Sequence, residues 1–264
     1  MGALVLAEGG EFAPPGVKDF ILPPIFGEGD WGFTKPMLLV IFSVVIIVAF
    51  FMITTKRMKT VPGKGQFLAE SIYDFGRNNI AREQIGSKDF KPFIPLILAI
   101  FTFVLVNNLF GIIPVVQFPT MSRFGFPLVI AVAVVYPVYH YVGIKRHGLG
   151  KYLKLQLAPA GVPGFVLPLF ATIEFVQKFF LNPITLAIRV FAAMFAGHLI
   201  LLVFTLGGEY LLLEASAGLK PVSLVAFLFA ILMTLLEAFI MVLQAYIFAT
   251  LAAGYIGGAL AEEH

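Results

Sequence analysis

Long runs of apolar residues, each closed by a polar or proline-containing stretch, organise this chain. A helix crossing the hydrocarbon core of a bilayer needs about 20 such residues. The runs at 36–55, 94–116 and 126–144 have that length. The first ends in the basic cluster Lys56, Arg57 and Lys59, and a short turn around Arg123 separates the second from the third. Two longer runs, 162–206 and 221–260, exceed a single span, so each is predicted as a strongly tilted helix or a span continued along the membrane. Pro168 and Pro183 are expected to bend the first of these. Gly207, Gly208 and the segment up to Lys220 are expected to separate the two. Between 63 and 91, Phe67, Leu68, Ile72, Phe75 and Ile80 recur among charged residues, the pattern of an interfacial amphipathic helix and loop. A solvated connector is the alternative there. The predicted class is an all-α integral membrane protein with about five crossings. It is read as one polytopic membrane domain over 1–264, with 1–35 an external segment and 94–144 a helical hairpin.

Composition agrees with this pattern. Hydrophobic residues make up 59% and charged residues 12%, and the mean hydropathy is +0.96, values that exclude an ordinary water-soluble globular domain. The net charge of +3 is spread along the chain, so it reads as topology rather than as a patch for an anionic partner. Lys56, Arg57, Lys59, Lys64, Arg77, Arg82, Lys88 and Lys91 follow the first span, and Lys145, Arg146, Lys151 and Lys154 follow the third. The opposite side has Lys18, Lys35, Arg123 and Lys220. This asymmetry predicts the N-terminus outside and the C-terminus in the cytoplasm. Cysteine is absent, which excludes disulfides and thiolate metal sites. The opening MGALVLAEGGEFAPPG has no positive stretch before its short apolar run and reads as neither a signal nor a transit peptide. A bacterial plasma (inner) membrane is therefore expected rather than an organelle.

Ionisable groups inside a span cost roughly 2.5 to 3.5 kcal/mol each on insertion scales, so each one calls for a reason. Glu174, Gln177, Lys178, Asn182, Arg189 and His198 interrupt the first long run, and Glu237 and Gln244 the second. Ala192, Ala193, Ala196 and Gly197 lie three, four, seven and eight positions beyond Arg189, on its helix face. The guanidinium thus stands at the end of a groove of small side chains, which lets another helix approach closely. Arginine keeps its proton at physiological pH, so it serves as a fixed positive charge and not as a relay. A static ion pair of Arg189 with Glu174 or Glu237 is the plainer alternative. Glu237 and Gln244 are separated by about two turns and share one face. Carboxyl and imidazole groups exchange protons, which makes Glu237 and His198 the candidate proton-handling groups. Arg189 and His198 are about 900° apart along the helix and face opposite sides. Taken singly, a bonded neutral His198 and an interhelical hydrogen bond from Gln244 are the plain alternatives.

These residues carry a resemblance. The run TLAIRVFAAMFAGH at 185–198 resembles the arginine signature of the a subunits of rotary F-type ATP synthases. LLEAFIMVLQAYIF at 235–248 resembles that family's last-helix signature. A third match, FKPFIPLILAIFTFVLVNNLFGIIP, ends at Pro114 and contains Asn107 and Asn108 ahead of Gly111. The first 35 residues carry no signature. The resemblance implies one N-terminal crossing, an interfacial helix, a helical hairpin and two long tilted helices curved against a ring of c subunits. It further implies two offset aqueous half-channels opening to opposite sides, with protons riding between them on a c-subunit carboxylate. On that reading Arg189 is the essential arginine, which attracts the ionised ring carboxylate and blocks leakage between the half-channels. Glu237 and His198 take the two coupled half-channel positions, whose residue types other branches exchange. Gln244 is the polar residue near the arginine, and Glu174 resembles the half-channel acid that precedes it. The implied partners are the c ring, peripheral-stalk b subunits and the remaining subunits of the complex. Two departures stand out: Ala193 replaces the Asn of many members, and Glu174 is one residue further from Pro183 than in the family's pattern.

Three other classes compete with this reading. A secondary transporter or ion channel would also place charges on broken helices, but it predicts inverted repeats, which the chain does not show. An intramembrane hydrolase lacks support: there is no HExxH, and His140, His147, His198 and His264 are scattered. A purely structural scaffold leaves the polar track unexplained. No GxxxxGK[ST] motif is present, so no direct nucleotide binding is expected, and neither a cofactor, a metal nor a nucleic acid.

Overall fold

The computed structural model describes residues 12–27, 32–56, 58–157 and 166–261. Arg57, His264, the start of the long run expected from 162 and much of the external segment expected over 1–35 lie outside the described residues. Among the described residues, five helical stretches are long and apolar enough to cross a membrane: Lys35–Thr55, Lys91–Leu109, Gly125–His147, Leu167–Leu213 and Lys220–Leu260. Large apolar side chains are exposed along them, among them Ile53, Leu224, Ile231, Leu235 and Phe239. Surfaces of that kind require lipid or another apolar partner as solvent. The chain is an all-α integral membrane protein.

Helix by helix, in chain order, a small hairpin of β1 (Pro24–Phe26) and β2 (Phe33–Thr34) is followed by α1 (Lys35–Thr55). Then come α2 (Lys64–Asp74) and α3 (Glu83–Ile85), joined by a π-helical turn at Phe75–Arg82. The segment expected to be interfacial is thus helical over most of its length. Next are α4 (Ile94–Leu109), α5 (Gly125–Val129), α6 (Tyr136–His147), α7 (Leu149–Leu157), α8 (Leu167–Val176), α9 (Asn182–Leu213) and α10 (Lys220–Leu260). Further π turns occupy Ile130–Val135, between α5 and α6, and Gln177–Leu181, between α8 and α9.

Two boundaries differ from expectation. The apolar run expected to be helical over 94–116 stops at Leu109, because the chain there reverses. Phe118 N donates back to Phe110 O at 3.2 Å, and Val115 and Gln117 adopt positive φ values of 76° and 40°. Gly111 leaves room for the returning loop, since a Cβ there would lie 3.1 Å from Pro119 Cβ. The second difference is that α9 continues through Gly207 and Gly208 to Leu213 instead of ending at 206. A Cβ on Gly208 would lie 3.1 Å from the Phe227 ring, so Gly208 acts as a packing surface between α9 and α10 and not as a helix stop.

The described chain groups into two compact units. The first comprises Met1–Ile46, Leu105–Arg123 and Phe191–Gln244. Its core is Phe20, Leu39, Phe110 and Phe118, flanked by Phe195 and Leu199. Phe20 is brought there by a short 3-10 turn, Val17–Phe20, whose Asp19 Oδ2 accepts from Gly16 N at 2.6 Å. Arg123 Nε then holds the Phe20 carbonyl at 3.2 Å. A polar latch ties the helices together: Asn107 Nδ2 donates to Ser43 Oγ at 2.8 Å, Thr120 Oγ1 donates to Asn107 Oδ1 at 2.6 Å, and Asn108 Nδ2 donates to Met241 O at 3.2 Å. In lipid such bonds hold helices together without a hydrophobic driving force. Lys35 Nζ clasps the reversing loop by donating to Val116 O at 2.8 Å.

The second unit comprises Ile47–Val104, Phe124–Val190 and Ala245–His264. Ile80, Ala81, Ile97, Ala249, Ala252, Ala253 and Ile256 are buried in it. Gly257 rests directly against the Gln84 carbonyl, and Gly143 against the Tyr152 ring. All three π turns belong to this unit.

Candidate functional site

In the first unit, α9 supplies His198 and α10 supplies Glu237. Nδ1 of the imidazole and Oε1 of the carboxylate are 3.6 Å apart, and each side chain is 3% exposed. This is beyond hydrogen-bond length. Neither ring nitrogen of His198, and neither oxygen of Glu237, hydrogen-bonds to any described residue. A buried polar atom without a partner costs about 1 to 3 kcal/mol, so a pair carrying four such atoms calls for a functional account. A cavity of about 340 Å³ supplies one, because His198 forms part of its wall.

The two helices come together here at Gly197, which faces the carboxylate. A Cβ on Gly197 would lie 3.5 Å from Glu237 Cγ. Gly197, expected on an outward groove, thus packs beside the carboxylate. Ala192 and Ala196 are exposed and Ala193 is half-buried, so a face of small residues remains open on the first unit. Gln244 follows Glu237 on α10; its Oε1 is shielded and makes no hydrogen bond to a described residue. Ser223, Ala230, Glu237 and Met241 are all buried, and they define the inward stripe of α10.

In the second unit, Arg189 is exposed on α9 beside exposed Thr185 and Ile188, whereas Leu186, Ala187 and Val190 are buried. The guanidinium is close enough to Tyr255 to interact with it electrostatically. Glu174 pairs with Lys178, one turn on, at 3.0 Å, and Lys178 Nζ also donates to Gln156 O at 2.9 Å. The plainer expectation, a static bridge between Arg189 and Glu174, meets this competing partner. The π turn at Gln177–Leu181 lies between Glu174 and Pro183. A π turn takes up one extra residue without breaking the helix.

Sequence reasoning missed a network in this unit. Tyr139 Oη donates to Gln156 Oε1 at 2.8 Å, and His140 Nδ1 lies 2.7 Å from Tyr152 Oη. The Tyr255 ring sits 6.0 Å from Tyr136 and 6.2 Å from Tyr139. Burial pushes the Tyr152 phenol up, so it remains a neutral hydroxyl. The available signal was the spacing of Tyr136, Tyr139 and His140, which places three polar tips on one face of a span. Among the described residues no group of three or more His, Cys, Asp or Glu side chains could hold a metal ion.

Comparison with known proteins shows the family. The family model described as "ATP synthase A chain" matches residues 37–257. ATP synthase subunit a of Pseudarthrobacter chlorophenolicus is 46% identical over 264 residues, covering 99% of this chain and 98% of that protein. The subunit a of a Nocardioides species is 44% identical, covering 98% and 96% respectively. That of Streptomyces lividans is 41% identical, covering 97% and 91%. With a family model spanning most of the chain and relatives aligned almost end to end, this chain belongs to the ATP synthase A chain family.

Proposed function

We propose that, within this family's role as the proton-translocating a subunit of a rotary ATP synthase, the His198–Glu237 pair is the proton-handling centre of one aqueous half-channel. Its support is the burial of two titratable groups, unbonded to described residues, one of which, His198, lines a cavity. Protons arriving there pass to a carboxylate on the c-subunit ring, which docks against the open small-residue face at Ala192, Ala193 and Ala196. Arg189 is the fixed charge that draws the ionised ring carboxylate and prevents direct leakage. Glu174, with Lys178 and the Tyr139–Gln156 bond, lines the second half-channel; Gln244 serves as a polar contact of the ring-facing site. The chain hydrolyses and binds no nucleotide itself, and the ATP chemistry belongs to partner subunits. Peripheral-stalk b subunits hold it against rotation. The Lys and Arg excess of the loops supports an N-terminus outside and a C-terminus in the cytoplasm; the membrane is a bacterial plasma membrane, with 63–91 at the interface of a single membrane domain.

The deciding experiment reconstitutes the complete complex in vesicles and compares ATP-driven acidification for the parent and Arg189→Ala, with assembly checked by co-purification of the ring. Loss of pumping with assembly intact is the expected result. Undiminished pumping would overturn the assigned mechanism.

A further inference from the structure

The cavity that reaches His198 has a second ionisable group in its wall. Glu209 lines it together with His198, Thr205, Thr234 and Gln117. His198, Thr205 and Glu209 lie on one stripe of α9, since steps of seven and eleven residues come within about 20° of whole helical turns. Glu209 is about 16 Å along the helix from His198. A cavity of about 340 Å³ has room for several water molecules between them. Thr205 and Thr234 donate their hydroxyl protons to Leu201 O at 2.9 Å and Ala230 O at 2.8 Å, which leaves their oxygen lone pairs as acceptors. Gln117 is held in the left-handed region, φ 40°, within the loop clasped by Lys35. Strained backbone of this kind persists where surrounding structure enforces it and concentrates at functional positions.

We propose that Glu209 is the outer proton-collecting carboxylate of this cavity, passing protons through water to the His198–Glu237 pair. The proposal rests on the reading of that pair given above. In each cycle the Glu209 carboxylate takes a proton from the medium and releases it to cavity water, so that one O–H bond forms as another breaks and the carboxylate is regenerated. Its negative charge raises the local proton concentration at the mouth, a focusing effect of charge in a low-dielectric cleft. Glu209 transfers and concentrates protons but contacts neither the ring nor its carboxylate.

The test exploits the absence of native cysteine in the chain. Glu209→Cys is introduced into the complete complex, reconstituted in vesicles, and treated with sulfonatoethyl or trimethylammonioethyl methanethiosulfonate, two thiol reagents of similar size and opposite charge. The treated parent complex serves as the control for thiols elsewhere. The expected result is proton flux several-fold lower in untreated Glu209→Cys than in the parent, partly recovered by the anionic adduct and lowered further by the cationic one. Equal flux from the two adducts would show that the side chain only fills space and would overturn the proposal. Should Glu209→Cys fail to assemble with the ring, Glu209→Asp and Glu209→Gln ask the same question. Asp is expected to keep the parent flux and Gln to lose it; equal flux from both overturns the proposal. Glu237→Gln, run in parallel, separates the two failures. If it abolishes pumping while Glu209 adducts behave alike, only the role of Glu209 falls. If Glu237→Gln pumps normally, the reading of the pair falls with it.

Discussion

His198 and Glu237 reach each other from two different helices, 3.6 Å apart and almost fully buried, with no hydrogen bond from either side chain to a described residue. An ion pair built for stability would close that gap and satisfy its lone pairs, because a buried charge without good geometry is destabilising. The looseness fits groups that must change protonation and exchange partners with water.

Their shared environment predicts interchangeability. His198→Glu combined with Glu237→His is expected to restore a measurable part of the ATP-driven pumping that either single change removes. Each single substitution is expected to cost roughly a hundredfold, the usual scale for losing a proton-transfer group. Acidification assays on the three variants would decide; a double variant no better than the singles would show that the positions are not equivalent partners.

Arg189 is exposed on a mostly apolar helix, next to exposed Ile188, a placement costly in lipid unless a counter-charge faces it. Arg189→Gln is expected to abolish ATP-driven pumping and to raise passive proton conductance through the membrane part of the complex. The readout is potential-driven proton uptake in vesicles stripped of the water-soluble sector. Conductance unchanged from the parent would remove the gating role.

Asn107 joins Ser43 and Thr120 in the first unit. Asn107→Ala is expected to lower thermal stability in detergent, by about 1 to 2 kcal/mol for the lost interhelical bonds. A double-mutant cycle with Ser43→Ala isolates the Asn107–Ser43 bond, with an expected coupling near 0.6 kcal/mol. Zero coupling would mean that the 2.8 Å contact contributes nothing in the membrane.

Gly257 packs on the Gln84 carbonyl, a backbone group that cannot swing aside. Gly257→Ala should therefore destabilise the second unit by about 1 to 3 kcal/mol through overpacking. Gly150→Ala, where an added Cβ meets nothing within 4 Å, provides the matched control. Equal melting temperatures for the two variants would contradict the packing argument.

Much of this protein was legible from its sequence because lipid imposes simple rules. A span must be apolar for about 20 residues and must satisfy its own backbone hydrogen bonds, so the helical class and five crossings follow from run lengths alone. The expense of charge in hydrocarbon made Arg189, His198 and Glu237 conspicuous one by one. The reversal at Phe110–Phe118 was not legible, since Val115 and Gln117 adopt positive φ against their own preference, and only their surroundings hold them there. Nor was the continuation of α9 through Gly207 and Gly208, because glycine reads as a breaker in isolation, whereas Gly208 becomes a contact surface once Phe227 lies against it. The tyrosine network escaped notice for the same reason: Tyr139 and His140 within a span are unremarkable until Gln156 and Tyr152 arrive from α7. Sequence determined which residues hydrocarbon would tolerate only for a purpose. Tertiary structure decided which of them meet, because proximity between residues distant in sequence depends on how helices pack and not on any local preference.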